Sequence, residues 1–339
     1  MTARAFIVGC SGPTVTPDER AFFGDARPWG FILFKRNIET PEQVRALTEA
    51  LRETIGVADA PILIDQEGGR VQRMGPPHWQ RYPPGRAYGR ASPEDPLMRR
   101  EMVRLGARLI ANDLLSLGIN VDCLPVLDVP VPGAHDIIGD RAYAEEPAAV
   151  AVLGRAAAEG LLAGGVLPVI KHMPGHGRAE ADSHQALPVV RASRKELEEV
   201  DFEPFRVLAD MPLAMTAHVV YAAIDPERPA TTSRTVISEV VRGSIGFDGL
   251  VMSDDLSMKA LSGSLRERAA AALAAGCDVA LHCNGKLDEM QVVAEAAPPL
   301  SGQARQRAEN ALSRIRHRPE PLDPVDAHAR LTAALAMVS

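Results

Sequence analysis

A single-domain (β/α)8 TIM-type barrel is the fold this sequence predicts, on three observations. Eight short apolar runs punctuate the 339 residues, an amphipathic stretch follows most of them, and most runs are nearly continuous in Val, Ile and Leu. Continuous rather than alternating apolar character is what a strand needs when its sheet is parallel and covered on both faces. Length agrees, since a barrel of this kind takes roughly 250 residues or more as one unit. An open doubly wound sheet, which also alternates strand and helix, is the structural alternative.

The eight runs are Ala5–Cys10, Gly30–Phe34, Pro61–Asp65, Asn120–Leu127, Leu167–His172, Leu213–His218, Leu250–Ser253 and Asp278–His282. Helical patterns lie between them. Thr40 to Ile55 opens Thr-Pro-Glu-Gln, so Thr40 caps, Pro41 takes the first helical position and Gln43 completes a capping box. Pro96–Leu117 has Asp95 as its cap and Gly118 as its stop. Glu146–Ala163, Ser193–Leu208, Ser233–Ser244 and Ser262–Ala275 fill the remaining intervals. Lys286–Ala296 and Gln303–Ile315 close the pattern, and the proline-rich His317–Pro324 connects to a last helix, Pro324–Met337. Residues 1–339 are therefore expected to form one catalytic barrel domain, with C-terminal helices from about 300 to 339 packed on it. The segments Asp128–Glu146 and Met173–Pro188 are long for strand-to-helix connections, as functional loops often are.

A net charge of −7 argues against nucleic acid or an anionic membrane as a partner. The N-terminal stretch has neither the apolar core nor the cleavage site of an export signal, and no run approaches the roughly 18 apolar residues of a membrane span. Cys10, Cys123, Cys277 and Cys283 form no Cys-x-x-Cys pair and read as reduced thiols. The expectation is a cytoplasmic monomer acting on a small molecule, with no cofactor and no metal.

Polar residues gather just past the predicted strand ends, where barrel enzymes place their chemistry. Strand three runs into Asp65-Gln66-Glu67-Gly68-Gly69-Arg70 and Arg73, and strand four into Asp128 and the loop with Asp140-Arg141. Strand five ends in Lys171-His172, strand six at His218, and strand seven at Ser253-Asp254-Asp255. A carboxylate such as Asp254 can attack an electrophilic carbon. His184, with Asp182 two residues before it to orient the imidazole, can give and take the proton. Lys171, His172, Arg73 and Arg141 offer donors to sugar hydroxyls, and Asp65 can accept from a vicinal pair. Each element alone has a bland reading. Asp254 is a helix cap, with Asp255 the better candidate for that role; Asp182-Ser183-His184 is a solvated turn, His218 a core histidine and Arg70 a salt-bridge residue. Their joint placement at successive strand ends is what separates them from chance.

Taken together the residues resemble glycoside hydrolase family 3, in its bacterial β-N-acetylglucosaminidase branch. The resemblance rests on Lys171-His172-Met173-Pro174-Gly175-His176-Gly177 followed by Asp182-Ser183-His184, on Asp65 through Arg73, and on Ser253-Asp254-Asp255-Leu256-Ser257-Met258. Phe is usual where Met173 stands. Ile138-Gly139-Asp140-Arg141 and Thr216-Ala217-His218-Val219 add support, and the match runs in order from about residue 5 to 315. It implies Asp254 as nucleophile, His184 as general acid/base assisted by Asp182, and Asp65, Arg73, Arg141, Lys171 and His172 as holders of the terminal sugar. The implied activity is retaining hydrolysis of terminal β-N-acetylglucosamine from muropeptides, GlcNAc-1,6-anhydroMurNAc-peptides, in peptidoglycan recycling. In a straight strand Lys171 and His172 point to opposite faces, so both reaching one sugar requires an irregular peptide there. The alternatives are a phosphorylase of the same family, a metal-dependent hydrolase using His172, His176, His184 and Asp254, and a non-catalytic sugar-binding barrel.

Overall fold

A computed structural model describes residues 2–91, 94–179, 183 and 187–336. The eight predicted runs supply eight strands: β1 (Arg4–Gly9), β2 (Pro28–Leu33), β3 (Ile62–Ile64), β4 (Val121–Asp122), β5 (Leu167–Met173), β6 (Leu213–Thr216), β7 (Leu250–Asp255) and β8 (Val279–His282). Each pairs in parallel with its sequence neighbours, and β8 pairs with β1 through Phe6–Ala280, Ile7–Leu281 and Val8–His282. The sheet is therefore a closed barrel rather than an open doubly wound one.

Period-two alternation divides the strand residues into two apolar shells. Ala5, Ile7, Leu63, Val121, Val169, Leu213, Met252 and Leu281 belong to a cluster inside the barrel. Phe6, Val8, Ile62, Ile64, Ile170, Val251 and Ala280 belong to a larger cluster shared with the surrounding helices. Both shells are apolar, which accounts for the continuous Val/Ile/Leu runs. The helix Gly302–Ser313 adds Ala308 and Ala311 to the inner cluster, and Leu300 N–H donates to the Ala3 carbonyl at 2.8 Å, so this segment covers the end where the strands begin. The last helix, Pro324–Ala336, packs on Pro96–Leu115.

Local signals explain most helix boundaries. Thr40 accepts the Gln43 N–H at 3.2 Å, but Gln43 Oε1 accepts from Glu39 rather than from Thr40, so the expected box is displaced by one residue. Asp95 caps Pro96–Leu115 through the amides of Leu97 and Met98. Ser264 and Glu267 form a complete capping box ahead of Leu265–Ala275, which ends on Gly276 in the left-handed region.

Other predicted spans come out shorter or broken. Strand four is regular only over Val121–Asp122: the Leu124 N–H turns back to the Asp122 carbonyl at 2.8 Å and Pro125 has no N–H to donate, while Val169 N–H still reaches Leu124 O at 3.0 Å and a bridge joins Val126 to Lys171. The helix expected over Ser193–Leu208 divides into Arg194–Glu196, a wide π turn at Leu197–Asp201 and Glu203–Val207. Pro204 lacks the amide that would continue the regular ladder, and Phe202 N–H reaches back five residues to Leu197 O at 2.8 Å. Two helices absent from the sequence reading are Pro17–Ala26, with a Thr16–Glu19 capping box, and Gly85–Arg90. Among the described residues no helix is long and apolar enough to cross a membrane.

Candidate active site

The inner shell is apolar up to Leu63, Val169, Met252 and Leu281. Two residues farther along each strand, on the same inward face, stand Asp65, Lys171, Asp254 and Cys283, and all four line a cavity of about 320 Å3. The cavity lies at the C-terminal ends of the strands, the face a barrel uses for chemistry. Arg73, Arg141 and His172 line it too. The structure thus brings together Asp254 and all five predicted sugar-holding residues. Asp182 and His184 lie outside the described residues. His172 has the wrong parity for the cavity in a regular strand, yet both it and Lys171 line the cavity, and the peptide between them is cis.

Glycines in the two motifs permit the close approaches that the site requires. A Cβ on Gly177 would stand 1.9 Å from the Val129 carbonyl oxygen. Gly68 has φ of 96°, and a Cβ there would meet the Pro83 carbonyl oxygen at 2.3 Å.

Charge within the cavity is paired almost completely. Lys171 Nζ is 2.9 Å from Asp65 Oδ1 and 2.6 Å from Glu67 Oε1. Arg141 grips Glu67 with two parallel bonds of 2.8 and 2.9 Å, and Arg73 reaches Asp65 Oδ2 at 3.0 Å. Burial alone would push both carboxyls up. Lys171 and Arg73 instead hold Asp65 well below the usual carboxylate range, and Arg141 and Lys171 hold Glu67 at about 2. Burial would likewise lower the Lys171 ammonium, but Asp65 and Glu67 keep it above its ordinary value. The cations Lys171, Arg70, Arg73 and Arg141 share one space with the carboxylates Asp65, Glu67, Asp254 and Asp255. Such a set suits a neutral polyol, because each hydroxyl can accept from a cation while donating to a carboxylate. Ile32, Phe34, Ile137, Ile138 and Met258 supply an apolar wall.

Glu67 is one residue whose role the sequence reading missed, although it stands two positions beyond Asp65 in the same motif. Asp128 is another. It is fully buried, accepts the His172 ring at Nδ1 (2.7 Å) and the backbone amides of His172 (3.2 Å) and His176 (2.6 Å). Burial would raise this carboxyl, but His172 holds it at about 2. Because a carboxylate only accepts, the His172 Nδ1 carries a proton, and in the neutral ring Nε2 is the acceptor. Nothing local in the sequence signals these pairings, which join residues 44 and 48 positions apart.

Around the nucleophile candidate, Asp254 Oδ1 accepts the Asp255 N–H at 2.7 Å. Asp255, not Asp254, braces the following turn, accepting from the amides of Ser257 and Cys283. His218 is a buried, bonded histidine, with Nδ1 at 2.7 Å from Thr231 Oγ1 and Nε2 at 3.0 Å from Asp255 O. Arg70 is a salt-bridge residue, 3.3 Å from Asp136 and 3.1 Å from Asp140, and also lines the cavity.

Comparison with known proteins gives a consistent set of relatives. The glycosyl hydrolase family 3 N-terminal domain matches residues 18–317. A beta-hexosaminidase from Alkalilimnicola ehrlichii is 40% identical over 325 residues, spanning 94% of this chain and 85% of that one. NagZ from Neisseria gonorrhoeae, solved in complex with N-trifluoroacetyl-D-glucosamine, is 31% identical with a TM-score of 0.85, covering 100% of this chain and 98% of that chain. A family 3 beta-N-acetylglucosaminidase from Paenibacillus also matches with a TM-score of 0.85 at 30% identity, over 97% of this chain and 67% of that one.

Proposed function

The chain belongs to glycosyl hydrolase family 3, and on that footing we propose that it is a retaining exo-β-N-acetylglucosaminidase. It is a glycoside hydrolase of the β-N-acetylhexosaminidase class. The observation that carries the mechanism is the cavity itself: one carboxylate from β7, Asp254, faces a self-neutralised cluster of hydroxyl-binding groups from β3, β5 and their loops.

In this reading the Asp254 carboxylate attacks C1 of the terminal sugar while His184, assisted by Asp182, protonates the departing glycosidic oxygen. The C1–O bond to the aglycone breaks as the C1–O bond to Asp254 forms. Water then gives its proton to His184 and attacks C1, releasing Asp254 and restoring the original configuration. Asp65, Arg73, Arg141, Lys171 and His172 hold the sugar. An imidazole in the second role adds no negative charge beside Asp254, whereas a second carboxylate there would repel it. The physiological substrate in this reading is the terminal N-acetylglucosamine of GlcNAc-1,6-anhydroMurNAc-peptides, cleaved in the cytoplasm by a monomer during peptidoglycan recycling. Support for that finer assignment is the resemblance to the single-domain branch.

Trapping with a slowly turned-over fluorinated N-acetylglucosamine and mapping the labelled peptide tests the chemistry. The adduct is expected on Asp254, and NMR of the first-formed product is expected to show the β anomer. An α product, or a label on another residue, would reject the double displacement. Digestion of purified muropeptides should release free N-acetylglucosamine and leave the anhydro-muramyl peptide intact.

A further inference from the structure

Ser183 separates Asp182 from His184 in the chain, and it is held at two points. Its Oγ lies 3.2 Å from His176 Nε2, and its carbonyl oxygen accepts the Ala260 N–H at 3.2 Å. Ser183 and His176 are both buried, at 3% exposure each, and both line the cavity. The backbone of His176 is in turn fixed to Asp128 Oδ1, while the other oxygen of that carboxylate holds the His172 ring. A single buried carboxylate therefore connects a sugar-holding imidazole to the anchor of Ser183.

Burial, with His172 adding to it, holds the His176 ring down to about 4, so it is neutral at physiological pH. Its Nδ1 is buried with no hydrogen-bond partner among the described residues. Placing the ring proton on Nε2 avoids stranding a buried N–H and makes Nε2–H the donor to Ser183 Oγ. The one proton of the His176 ring is then engaged by Ser183. Its geometry serves something else.

We propose that His176 and Ser183 form a latch that sets where the general acid of the adjoining segment is delivered, which makes them positioning residues for protonation of the leaving group. The inference rests on the reading of His184 as that acid. Misplacing a reacting group by about an ångström costs on the order of 100-fold when its contribution is needed in the transition state. An activated aryl leaving group needs little protonation and should be insensitive to the misplacement.

The test measures kcat/KM for Ser183→Ala, Ser183→Thr, His176→Gln and His184→Ala on two β-N-acetylglucosaminides, one with a dinitrophenyl and one with an alkyl leaving group. Ser183→Ala is expected to lose roughly 10- to 100-fold on the alkyl glycoside and less than about 3-fold on the dinitrophenyl one. Ser183→Thr, which keeps a hydroxyl, and His176→Gln, which keeps a donor near Nε2, should recover most of that loss. Inhibition by free N-acetylglucosamine should stay within about 3-fold of the parent, because sugar binding is left intact. Equal losses on both substrates in Ser183→Ala, alongside a clear leaving-group split in His184→Ala, would overturn the latch while leaving the acid assignment standing. A flat response in His184→Ala itself would overturn the acid assignment and the latch with it. Should Ser183→Ala fail to fold, the same comparison between His176→Ala and His176→Gln decides.

Discussion

Lys171 carries more of the site than any other cation. Its ammonium is 2% exposed and bridges two carboxylates, so its removal strips Asp65 and Glu67 of a shared partner. Leaving a buried charge alone costs roughly 3–5 kcal/mol, and because Arg73 still pairs with Asp65 and Arg141 with Glu67 the loss here falls near the lower end of that range. Lys171→Met is therefore expected to lower unfolding stability by about that amount at neutral pH, as read from urea denaturation. It should also abolish inhibition by N-acetylglucosamine. Stability unchanged in Lys171→Met would contradict the pairing itself.

Elements distribute their work unevenly between folding and chemistry. The helix Leu265–Ala275 is fixed at its start by Ser264, whose Oγ faces Glu267 N while Glu267 Oε2 accepts the Ser264 N–H at 2.8 Å. Ser264→Ala should cost about 1 kcal/mol in urea denaturation and leave kcat/KM at 25 °C unchanged, because Ser264 is exposed and does not line the cavity. The strands behave oppositely. Each is short, and inward residues at or just past the ends of β2, β3, β5, β6, β7 and β8 belong to the cavity, so changes at Asp65 or Asp254 touch chemistry before they touch the fold. The long connection after β5 lies between these extremes, with Tyr221 Oη donating to Gly175 O at 2.6 Å and Arg178 Nε to Asp201 at 2.6 Å.

The molecule as a whole stores its acid sensitivity in a few buried carboxylates. Glu67 falls from 4.5 to about 2 on folding and Asp128 from 3.8 to about 2, each against the opposing pull of burial. A depressed carboxyl stabilises the native state above its unfolded value, and that contribution is lost as pH falls through the folded value. Unfolding free energy measured in urea should therefore drop between pH 4.5 and about 2. Glu67→Gln should flatten that drop. Asp201 acts in the opposite sense: burial raises it from 3.8 to about 6, so its contribution weakens as pH rises across that interval. A stability curve indifferent to pH below 4.5 would contradict the buried pairs.

Residue order alone determined the alternation of strand and helix and the strand ends that carry the reactive side chains, while the β8–β1 pairing closed the sheet. Strands with apolar residues on both faces, separated by capped helices, admit few arrangements, and the inward parity of Leu63, Val169 and Met252 already points to Asp65, Lys171 and Asp254. Those signals are local, because they depend on strand period and on hydrogen bonds within a few positions. Spatial proximity decided the rest. Arg141 enters the cavity through Glu67, 74 residues earlier, and His172 is set by Asp128, 44 residues earlier. Strand β4 ends where the Leu124 N–H turns back to Asp122 O, and the wide turn at Leu197–Asp201 appears where Pro204 removes an amide. A charge chooses its partner by distance in space, and strand parity cannot encode that distance until the barrel has closed.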